Sequence, residues 1–407
     1  MNILKSNSSL ELPHLRISLH GDCNMRCIYC PPWGENSYTI DDNLDTDSLK
    51  RILTYLSEAR FRVVKFTGGE PTLRKDLIDV VHFSSKLFPE TRIITNGWNL
   101  SKIASNLKRA GLKIIEISLD AAEPMSFAKM TQTSTSMYTA VYKGIEECIK
   151  RGFPIQLNMV VTRQNFDQIV PMLRLIESFG NITLKLLELV YYEYPGYQFW
   201  KDNFVSMDEV IPIVQRNSKG TDWVYPPGNV GSPMPSFALD NNAKVLVKDG
   251  VIGTTYATIC NSCSVFPCQD GLYGLTLTTD GYLKMCKHRT DLHVPLFELQ
   301  EGRRIFSEQT IQLGIQKIVS RYESLYFREK GEGGWTPDIV ERHKAITLVQ
   351  PTLKVLKWYR KKEYGNGYEE AVNKWIVQPL PTNSYSESPS EKIRDEEIVA
   401  ATPSDGD

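Results

Sequence analysis

Three cysteines fall within eight residues near the start of the chain, in the run LRISLHGDCNMRCIYC. Cys23, Cys27 and Cys30 follow a segment that alternates like a β-strand, and Pro31 comes directly after them, so a single loop carries all three thiols. Thiolates are the ligands of iron-sulfur clusters. Three ligands leave one iron of a cubane cluster open to a molecule that is not protein. The spacing therefore predicts a cluster site with one open position.

A structural zinc site and a disulfide loop are the alternative interpretations. Three cysteines leave zinc one ligand short of the four that structural sites use. The N-terminus MNILKSNSSLELP lacks the pattern of a signal peptide, and the chain has no apolar stretch of about 18 residues, so we expect a cytoplasmic protein. Thiols in a reducing compartment more often bind metals or pack in cores than form disulfides.

The charge balance sets limits on the partners. The 407 residues include 47 basic and 48 acidic side chains, for a formal net charge of -1. A balanced chain has no general attraction for nucleic acid or for a membrane surface. We therefore expect neither partner, and expect a small-molecule substrate bound by a local site.

Six short β-rich runs alternate with longer segments of helical period between Leu15 and about Glu188. The predicted strands are 15–19, 63–66, 92–95, 113–119, 155–161 and 182–189, and the predicted helices lie near 47–59, 74–87, 100–110, 136–151 and 165–179. The predicted N-caps are Asp47 and Asn165, and the glycines expected after helix ends are Gly111, Gly152 and Gly180. Alternating units of this kind predict an α/β fold with a parallel sheet, here a partial (βα)6 TIM-type barrel followed by a C-terminal auxiliary-cluster domain.

Polar residues stand at the carboxyl ends of these strands, where such folds place their active sites. Strand 2 is followed by Gly68-Gly69-Glu70, in which the glycines let backbone approach a ligand and the carboxylate could accept from an ammonium group. The small polar residues at the later strands are Thr95, Asn96, Ser118 and Asn158. Each of them alone is equally typical of a turn or a helix cap.

A second group of cysteines comprises Cys260, Cys263, Cys268 and Cys286. The run LTLTTDGYLKMC predicts a β-hairpin that returns Cys286 toward the other three. Four thiolates suit either an iron-sulfur cluster or tetrahedral zinc. Cys148 stands alone in a helical pattern and is expected in the core.

The pattern divides the chain into five regions. Residues 1–190 form the barrel core, 191–255 read as an irregular connector, and 256–300 hold the second cysteine group. Residues 301–378 are expected to be helical. Residues 379–407, rich in Pro, Ser and acidic residues, are expected to be disordered.

Taken together, the cysteine loop with Tyr29 before its last cysteine and the GGEP turn one βα unit later resemble the radical S-adenosylmethionine (SAM) superfamily. Leu15 to about Arg289 resembles its GTP 3',8-cyclase family in the runs LRISLHGDCNMRCIYC, FTGGEPTLRKDL, ITNG, ISLDA, LNMVVTRQNFDQI and LTLTTDGYLKMC. This resemblance implies a [4Fe-4S] cluster on the first three cysteines, SAM on its open iron, and an electron donor such as flavodoxin or ferredoxin. It implies that Arg16 lies near SAM or substrate. It also implies SAM contacts at Tyr29, Gly68, Gly69, Glu70, Thr95, Asn96, Ser118 and Asn158.

The resemblance also implies reductive cleavage of SAM to a 5'-deoxyadenosyl radical, which removes hydrogen from the substrate. It favours an auxiliary [4Fe-4S] cluster over zinc on the second cysteine group. Against the family pattern, Val63 and Gln156 replace basic residues, whereas Lys65 and Lys185 keep basic ones. The segment 273–278, YGLTLT, lacks the arginines that the family places near its substrate.

Losing these cationic groups should weaken triphosphate binding by about 1.5 to 3 kcal/mol for each lost hydrogen bond. The second cysteine group also departs from the family pattern, because it has a fourth cysteine and a longer spacing between Cys268 and Cys286. We therefore expect a nucleotide-, sugar- or metabolite-like substrate other than GTP. The alternatives are a GTP 3',8-cyclase, a peptide-modifying radical SAM enzyme, and a non-enzymatic zinc or iron-sulfur scaffold.

Overall fold

Six parallel strands, adjacent in chain order, form the centre of the fold. They are β1 (Leu15–Ser18), β2 (Val63–Thr67), β3 (Glu90–Thr95), β4 (Ile114–Ser118), β5 (Ile155–Val161) and β6 (Thr183–Glu188). Each strand pairs in parallel with the next. Parallel neighbours need crossover connections, which the helices supply. The predicted six-strand partial barrel is confirmed.

The computed structural model describes residues 14–31, 43–59, 61–190, 195–224, 234–249 and 274–330. The chain divides into two units, Met1–Lys344 and Ala345–Asp407, and the described residues all lie in the first. Cys260, Cys263, Cys268 and residues 379–407 lie outside the described ranges. None of the described helices is long and apolar enough to span a bilayer.

Six helices connect the strands. They are α1 (Thr46–Glu58), α2 (Leu77–Leu87), α3 (Leu100–Arg109), α4 (Pro124–Thr131), α5 (Thr135–Lys150) and α6 (Ile169–Phe179). Five of them match predicted helices. The pattern missed α4, because its eight residues are too few to establish a helical period and the chain resumes a helix only four residues later.

The helix ends match the prediction only in part. Gly111, Gly152 and Gly180 take positive φ angles of 95°, 65° and 68° after their helices, as predicted. The prediction of Asp47 as an N-cap was wrong. Asp45 caps α1 by accepting from the Ser48 N–H at 2.8 Å, because the helix begins one residue before Asp47. Asn165 precedes a short 3-10 helix, and its Oδ1 accepts from the Thr162 N–H rather than capping α6.

Burial alternates along the central strands. In β5, Leu157 and Met159 are completely buried, whereas Gln156 and Asn158 remain half-buried. The buried side belongs to the hydrophobic core, which also takes in the inward faces of the helices. We term the other, half-buried side of the parallel sheet the lumen. It carries most of the polar strand residues.

The segment after β6 contains regular elements, so the prediction of an irregular connector was wrong for its described part. These elements are α7 (Tyr197–Asn203), α8 (Met207–Arg216), β7 (Gly220–Val224), β8 (Met234–Ala238) and β9 (Lys244–Lys248). β9 pairs in parallel with β6, and β8 and β7 follow in antiparallel order. A proline inside α8 and another in β8 mask the local pattern, and the edge of β6 supplies the pairing partner that local sequence does not reveal.

At the other edge of the sheet, the predicted hairpin is confirmed as β10 (Leu275–Leu277) and β11 (Tyr282–Lys284). β10 runs parallel to β1, and β11 returns in the opposite direction. The chain continues through β12 (His293–Pro295), β13 (Glu298–Gln300), β14 (Arg303–Ile305) and α9 (Glu308–Lys330). α9 lies in the segment 301–378 that was predicted to be helical, whereas β14 in the same segment is a strand that the prediction missed.

Gly144 of α5 packs against the turn after β3. A Cβ at Gly144 would lie 2.7 Å from the carbonyl oxygen of Gly97, which is backbone and has no room to withdraw. We expect Gly144→Ala to destabilise the protein by about 1 to 3 kcal/mol through overpacking. An ordinary glycine-to-alanine change in a helix stabilises it by up to about 1 kcal/mol. The sign of the change in unfolding free energy therefore shows whether Gly144 is needed for close packing.

Urea unfolding of the two proteins measures this difference. Gly220→Ala is the matched control, because a Cβ there meets nothing within 4 Å, and we expect a change of no more than about 0.5 kcal/mol. A Gly144→Ala variant that is as stable as the wild type would contradict the packing described here.

Candidate functional site

The cysteine loop begins where β1 ends, and its base is paired with the turn after β2. The Leu19 N–H donates to the Thr67 carbonyl at 2.8 Å, continuing the strand pairing. Beyond it, the Gly69 N–H donates to the His20 carbonyl and the Glu70 N–H to the Asp22 carbonyl, both at 2.7 Å. The loop is therefore fixed by backbone bonds directly before its first cysteine.

This contact explains the two glycines after β2. A Cβ on Gly69 would lie 2.2 Å from the Asp22 carbonyl oxygen, and one on Gly68 would lie 2.4 Å from that of His20. Gly68 also has a φ of 144°, which disfavours any side chain. The glycines thus admit the backbone of the cysteine loop, and their expected approach to a ligand stays a prediction.

The other side of the loop rests on the end of α4. The N–H groups of Arg26 and Ile28 donate to the carbonyls of Thr131 and Met130, each at 3.0 Å. The last carbonyls of a helix have no partner within the helix, so the loop satisfies them. α4, which the sequence pattern missed, therefore supports the three cysteines.

Three cysteines of the loop are the candidate cluster ligands. All three are free thiols, with Cys23 and Cys27 half-buried and Cys30 exposed. Among the described residues, no group of three or more His, Cys, Asp and Glu side chains is placed to hold one metal ion. In a cubane cluster each thiolate binds a different iron, so the sulfur atoms need not meet at one point. Burial raises the pKa of Cys23 and Cys27, so loading a metal must displace protons.

Hydrogen bonds already surround the first sulfur atom. The Met25 N–H donates to Cys23 Sγ at 3.4 Å, and Asn96 Nδ2 lies 3.9 Å from the same atom. Asn96 Nδ2 also donates to Asn24 Oδ1 at 2.7 Å. Donors of this kind stabilise a thiolate that binds iron. The turn after β3 is thereby connected to the cysteine loop.

Glu70 is buried, with 1% of its surface exposed. Its Oε1 accepts from the Thr72 N–H at 2.9 Å, the Thr72 hydroxyl and the Thr95 hydroxyl at 2.7 Å, and its Oε2 accepts from the Asn96 N–H at 2.8 Å. Burial raises the pKa of Glu70 against the effect of these donors. The carboxylate therefore joins the turns after β2 and β3, and its role as a contact to an ammonium group stays a prediction.

Tyr29 is held by a buried carboxylate that the sequence analysis did not single out. Its hydroxyl donates to Asp120 Oδ2 at 2.7 Å, and Asp120 Oδ1 accepts from the Val160 N–H at 2.9 Å. Burial raises the pKa of Asp120 to about 6. Asp120 ends the ISLDA run, directly after β4, and its position at a strand end was the signal that could have identified it.

Below the cysteine loop, charged side chains meet in the lumen. Arg16, Lys65 and Arg92 are consecutive partners across β1, β2 and β3. From β4, Glu116 Oε1 lies 3.0 Å from Lys65 Nζ and 3.3 Å from Arg92 NH1. Burial alone would raise the pKa of Glu116, but Lys65, Lys185 and Arg92 hold it well below its usual range. Arg92 and Glu116 were missed, although the two-residue period of their strands places them on the lumen side.

β5 and β6 complete the lumen. Gln156 Nε2 donates to Glu116 Oε2 at 3.3 Å and to Asn158 Oδ1 at 2.7 Å. Asn158 is the strand partner of both Ser118 and Lys185, which places these three predicted site residues side by side. Burial and the charge of Lys65 lower the pKa of Lys185 to about 7.

Cys286 lies far from the first three cysteines in the topology of the sheet. It follows β11, which runs antiparallel to β10 and so returns to the edge where β1 begins. At that edge a Cβ on Gly274 would lie 2.6 Å from the His14 carbonyl oxygen. Cys286 therefore lies toward the end of β1 that is opposite to the cysteine loop. The other three cysteines of its group lie outside the described residues.

The sequence matches a known family model over residues 17–176, that of the radical SAM superfamily. A probable GTP 3',8-cyclase of Pyrococcus abyssi is 31% identical over 286 residues, which cover 68% of this chain and 85% of that protein. The GTP 3',8-cyclase of Peptoclostridium acidaminophilum is 30% identical over a stretch that covers 76% of this chain and 91% of that protein.

The fold is also similar to that of a solved structure. Streptococcus suis SuiB bound to its precursor peptide SuiA superposes with a TM-score of 0.51 at 15% identity, covering 82% of this chain and 74% of that one. At this identity the likeness concerns the fold alone.

Replacing Glu70 by glutamine tests its positioning role. A glutamine cannot accept from all four donors, so at least one buried N–H or hydroxyl group loses its partner. We expect Glu70→Gln to lower the free energy of unfolding by about 1 to 3 kcal/mol. The exposed Glu146 serves as the control, since Glu146→Gln should change stability by less than about 0.5 kcal/mol. Equal urea midpoints for the two variants would show that the buried bonds contribute nothing.

The raised pKa of Asp120 predicts a pH dependence of stability. An unfolded aspartate releases its proton near pH 3.8, whereas folded Asp120 keeps it until about pH 6. Between these values the folded state binds more protons, so the stability from this group is present at low pH and is lost as the pH rises through about 6. The full difference is roughly 3 kcal/mol.

Urea unfolding of the metal-free protein at several pH values between 4 and 7 measures this dependence. Asp120→Asn removes the titrating group while keeping an acceptor for the Val160 N–H. We expect the wild type to lose stability relative to this variant as the pH rises. Parallel profiles for the two proteins would exclude the assigned titration.

Proposed function

Because the chain belongs to the radical SAM superfamily, in the family of the GTP 3',8-cyclases that it matches, we propose that it cleaves SAM reductively and removes hydrogen from a small anionic substrate bound in the lumen. It is an enzyme that uses a [4Fe-4S] cluster and SAM. When bound, these cofactors supply hydrogen abstraction from an unactivated carbon, with methionine and 5'-deoxyadenosine as products. Cys23, Cys27 and Cys30 would hold the cluster.

One observation supports this proposal above the others. The cysteine loop and the turns after β2 and β3 form one hydrogen-bonded unit through Glu70 and Asn96, and this unit stands at the carboxyl edge of the sheet above the lumen. A substrate in the lumen would therefore lie directly beneath SAM. Tyr29, held by Asp120, would form one wall of the SAM site, and Ser118 and Asn158 would face it from β4 and β5.

The charges of the lumen favour an anionic substrate. Arg16, Lys65, Arg92 and Lys185 contribute cationic groups, and Glu116 is the carboxylate that lies among them. Buried cations attract phosphate or carboxylate groups strongly because little water screens them. A phosphorylated nucleoside, a phosphorylated sugar or an acidic metabolite has the required chemistry.

The same residues argue for a substrate other than GTP. Val63 and Gln156 stand where the resemblance leads us to expect cations, and Glu116 draws Lys65 and Arg92 toward itself. Thr276, rather than an arginine, is the strand partner of Arg16 on β10. A triphosphate with its multiple charges would meet fewer free cations here, and the lumen suits a less charged anion.

GTP cyclisation is the second candidate. It is favoured by the 30–31% identity to relatives named GTP 3',8-cyclase over most of their length. Further parts of the proposal are an auxiliary cluster on Cys260, Cys263, Cys268 and Cys286, with zinc as the alternative, and a one-electron donor such as flavodoxin or ferredoxin. The position of Cys286, after a strand that runs toward the end where β1 begins, supports a second site away from the cysteine loop.

Anaerobic reconstitution tests the reaction. We expect the purified protein, reduced with dithionite, to convert SAM to 5'-deoxyadenosine, and to bind about eight irons per chain if both sites hold cubane clusters. About four irons with one zinc would make the second site structural. Cys27→Ala should abolish 5'-deoxyadenosine formation, and Cys148→Ala, in the core away from the loop, is the matched cysteine control.

Candidate substrates are then compared by the rate of 5'-deoxyadenosine formation and by the new product. We expect monophosphates or carboxylates to accelerate the reaction more than GTP does. Acceleration by GTP together with a cyclised nucleotide would instead establish the second candidate. A fully loaded protein that neither binds nor cleaves SAM would refute the proposed function.

A further inference from the structure

The amide orientation of Asn158 is determined by a charge two side chains away. Glu116 is an ionised carboxylate, held by Lys65 at 3.0 Å and Arg92 at 3.3 Å, and an ionised carboxylate can only accept hydrogen bonds. Gln156 lies between Glu116 and Asn158 on the lumen side of the sheet. It must therefore present its NH2 group, rather than its carbonyl, to the carboxylate.

The orientation of the Gln156 amide determines that of the Asn158 amide. Gln156 Nε2 carries two hydrogens, one for Glu116 Oε2 at 3.3 Å and one for Asn158 Oδ1 at 2.7 Å. If the Asn158 amide were reversed, two NH2 groups would face each other without an acceptor. Asn158 must therefore direct Oδ1 toward Gln156 and Nδ2 away from it. Within the described part of the chain, Asn158 Nδ2 has no acceptor of its own.

We propose that Gln156, oriented by Glu116, is a positioning residue that makes Asn158 a hydrogen-bond donor to an acceptor oxygen of SAM. The inference rests on the proposed function, which places SAM beside Ser118 and Asn158. Both the carboxylate and the ribose of SAM offer acceptor oxygens. The chain Glu116, Gln156, Asn158 thus connects the cations of the lumen with the SAM site.

The residue types matter in this chain more than the presence of polar groups. A lysine at position 156, which the resemblance leads one to expect, could also donate to both neighbours but would add a charge. Glutamine achieves the same orientation while remaining neutral, and this matters in a lumen that already holds Lys65, Arg92 and Lys185. Glutamine is therefore suited to orient Asn158 without attracting a further anion.

The test is a set of SAM affinities measured by calorimetry on cluster-loaded protein without reductant, so that SAM is not consumed. Gln156→Glu leaves only acceptors at position 156, which draws Asn158 Nδ2 away from the ligand. We expect it to weaken SAM binding by about tenfold or more. Gln156→Leu removes the orientation without reversing it, and we expect a smaller loss of about threefold.

The double variant Glu116→Gln with Gln156→Glu separates orientation from charge and packing. It keeps the composition and the net charge of the pair, but the carboxylate now stands beside Asn158 and reverses its amide. We expect affinity as weak as in Gln156→Glu. Thr183→Val is the matched control, because Thr183 is a strand partner of Gln156 but takes no part in the hydrogen bonds that join Glu116, Gln156 and Asn158. We expect the SAM affinity of this variant to stay within about twofold of the wild type.

The midpoint of thermal unfolding is measured for each variant on the same samples. A merely structural role of Gln156 would lower this midpoint, but SAM affinity would not then decrease from the wild type to Gln156→Leu and further to Gln156→Glu. Recovery of wild-type affinity in the double variant, or equal affinity in Gln156→Glu and the wild type, would overturn the inference while leaving the proposed function intact. Failure of the loaded wild type itself to bind SAM would overturn both.

Discussion

The buried carboxylate of Glu70 is the constraint on which the arrangement of the site depends. Its two oxygens accept from both turns that follow β2 and β3, and the backbone beside it is paired with the base of the cysteine loop. Removing a carboxylate from water is costly unless donors replace the lost hydration. Because four donors do so here, the three loops are held in one relative position and not in several.

The cysteine loop is stabilised on two sides by backbone groups that have no hydrogen-bond partner within their own strand or helix. On one side it continues the parallel pairing of β1 with β2, and on the other it satisfies the final carbonyls of α4. Tyr29 adds a third anchor through Asp120. A loop restrained in this way would lose little entropy on binding a cofactor.

The lumen combines charges in a way that limits its ligands. Lys65 and Arg92 share Glu116, and Arg16 and Lys185 lie on the same side of the sheet, on β1 and β6. A carboxylate among cations lowers their attraction for a highly charged ligand while it fixes their positions. The lumen therefore presents cationic groups together with a carboxylate that already pairs with two of them.

The six βα units, the cysteine loop and the polar residues at the strand ends could be predicted from the sequence alone, because local periodicity and short motifs encode these features. The sequence could not show that Gly68 and Gly69 admit the cysteine loop, that α4 supports that loop, or that β9 and β10 extend the sheet, since these depend on contacts between segments distant in the chain. Nor could it pair Tyr29 with Asp120, or Glu116 with Lys65 and Arg92. Such pairs form only when strand register brings separate residues onto one face, so the tertiary structure decided which polar groups meet and what orientation each must take.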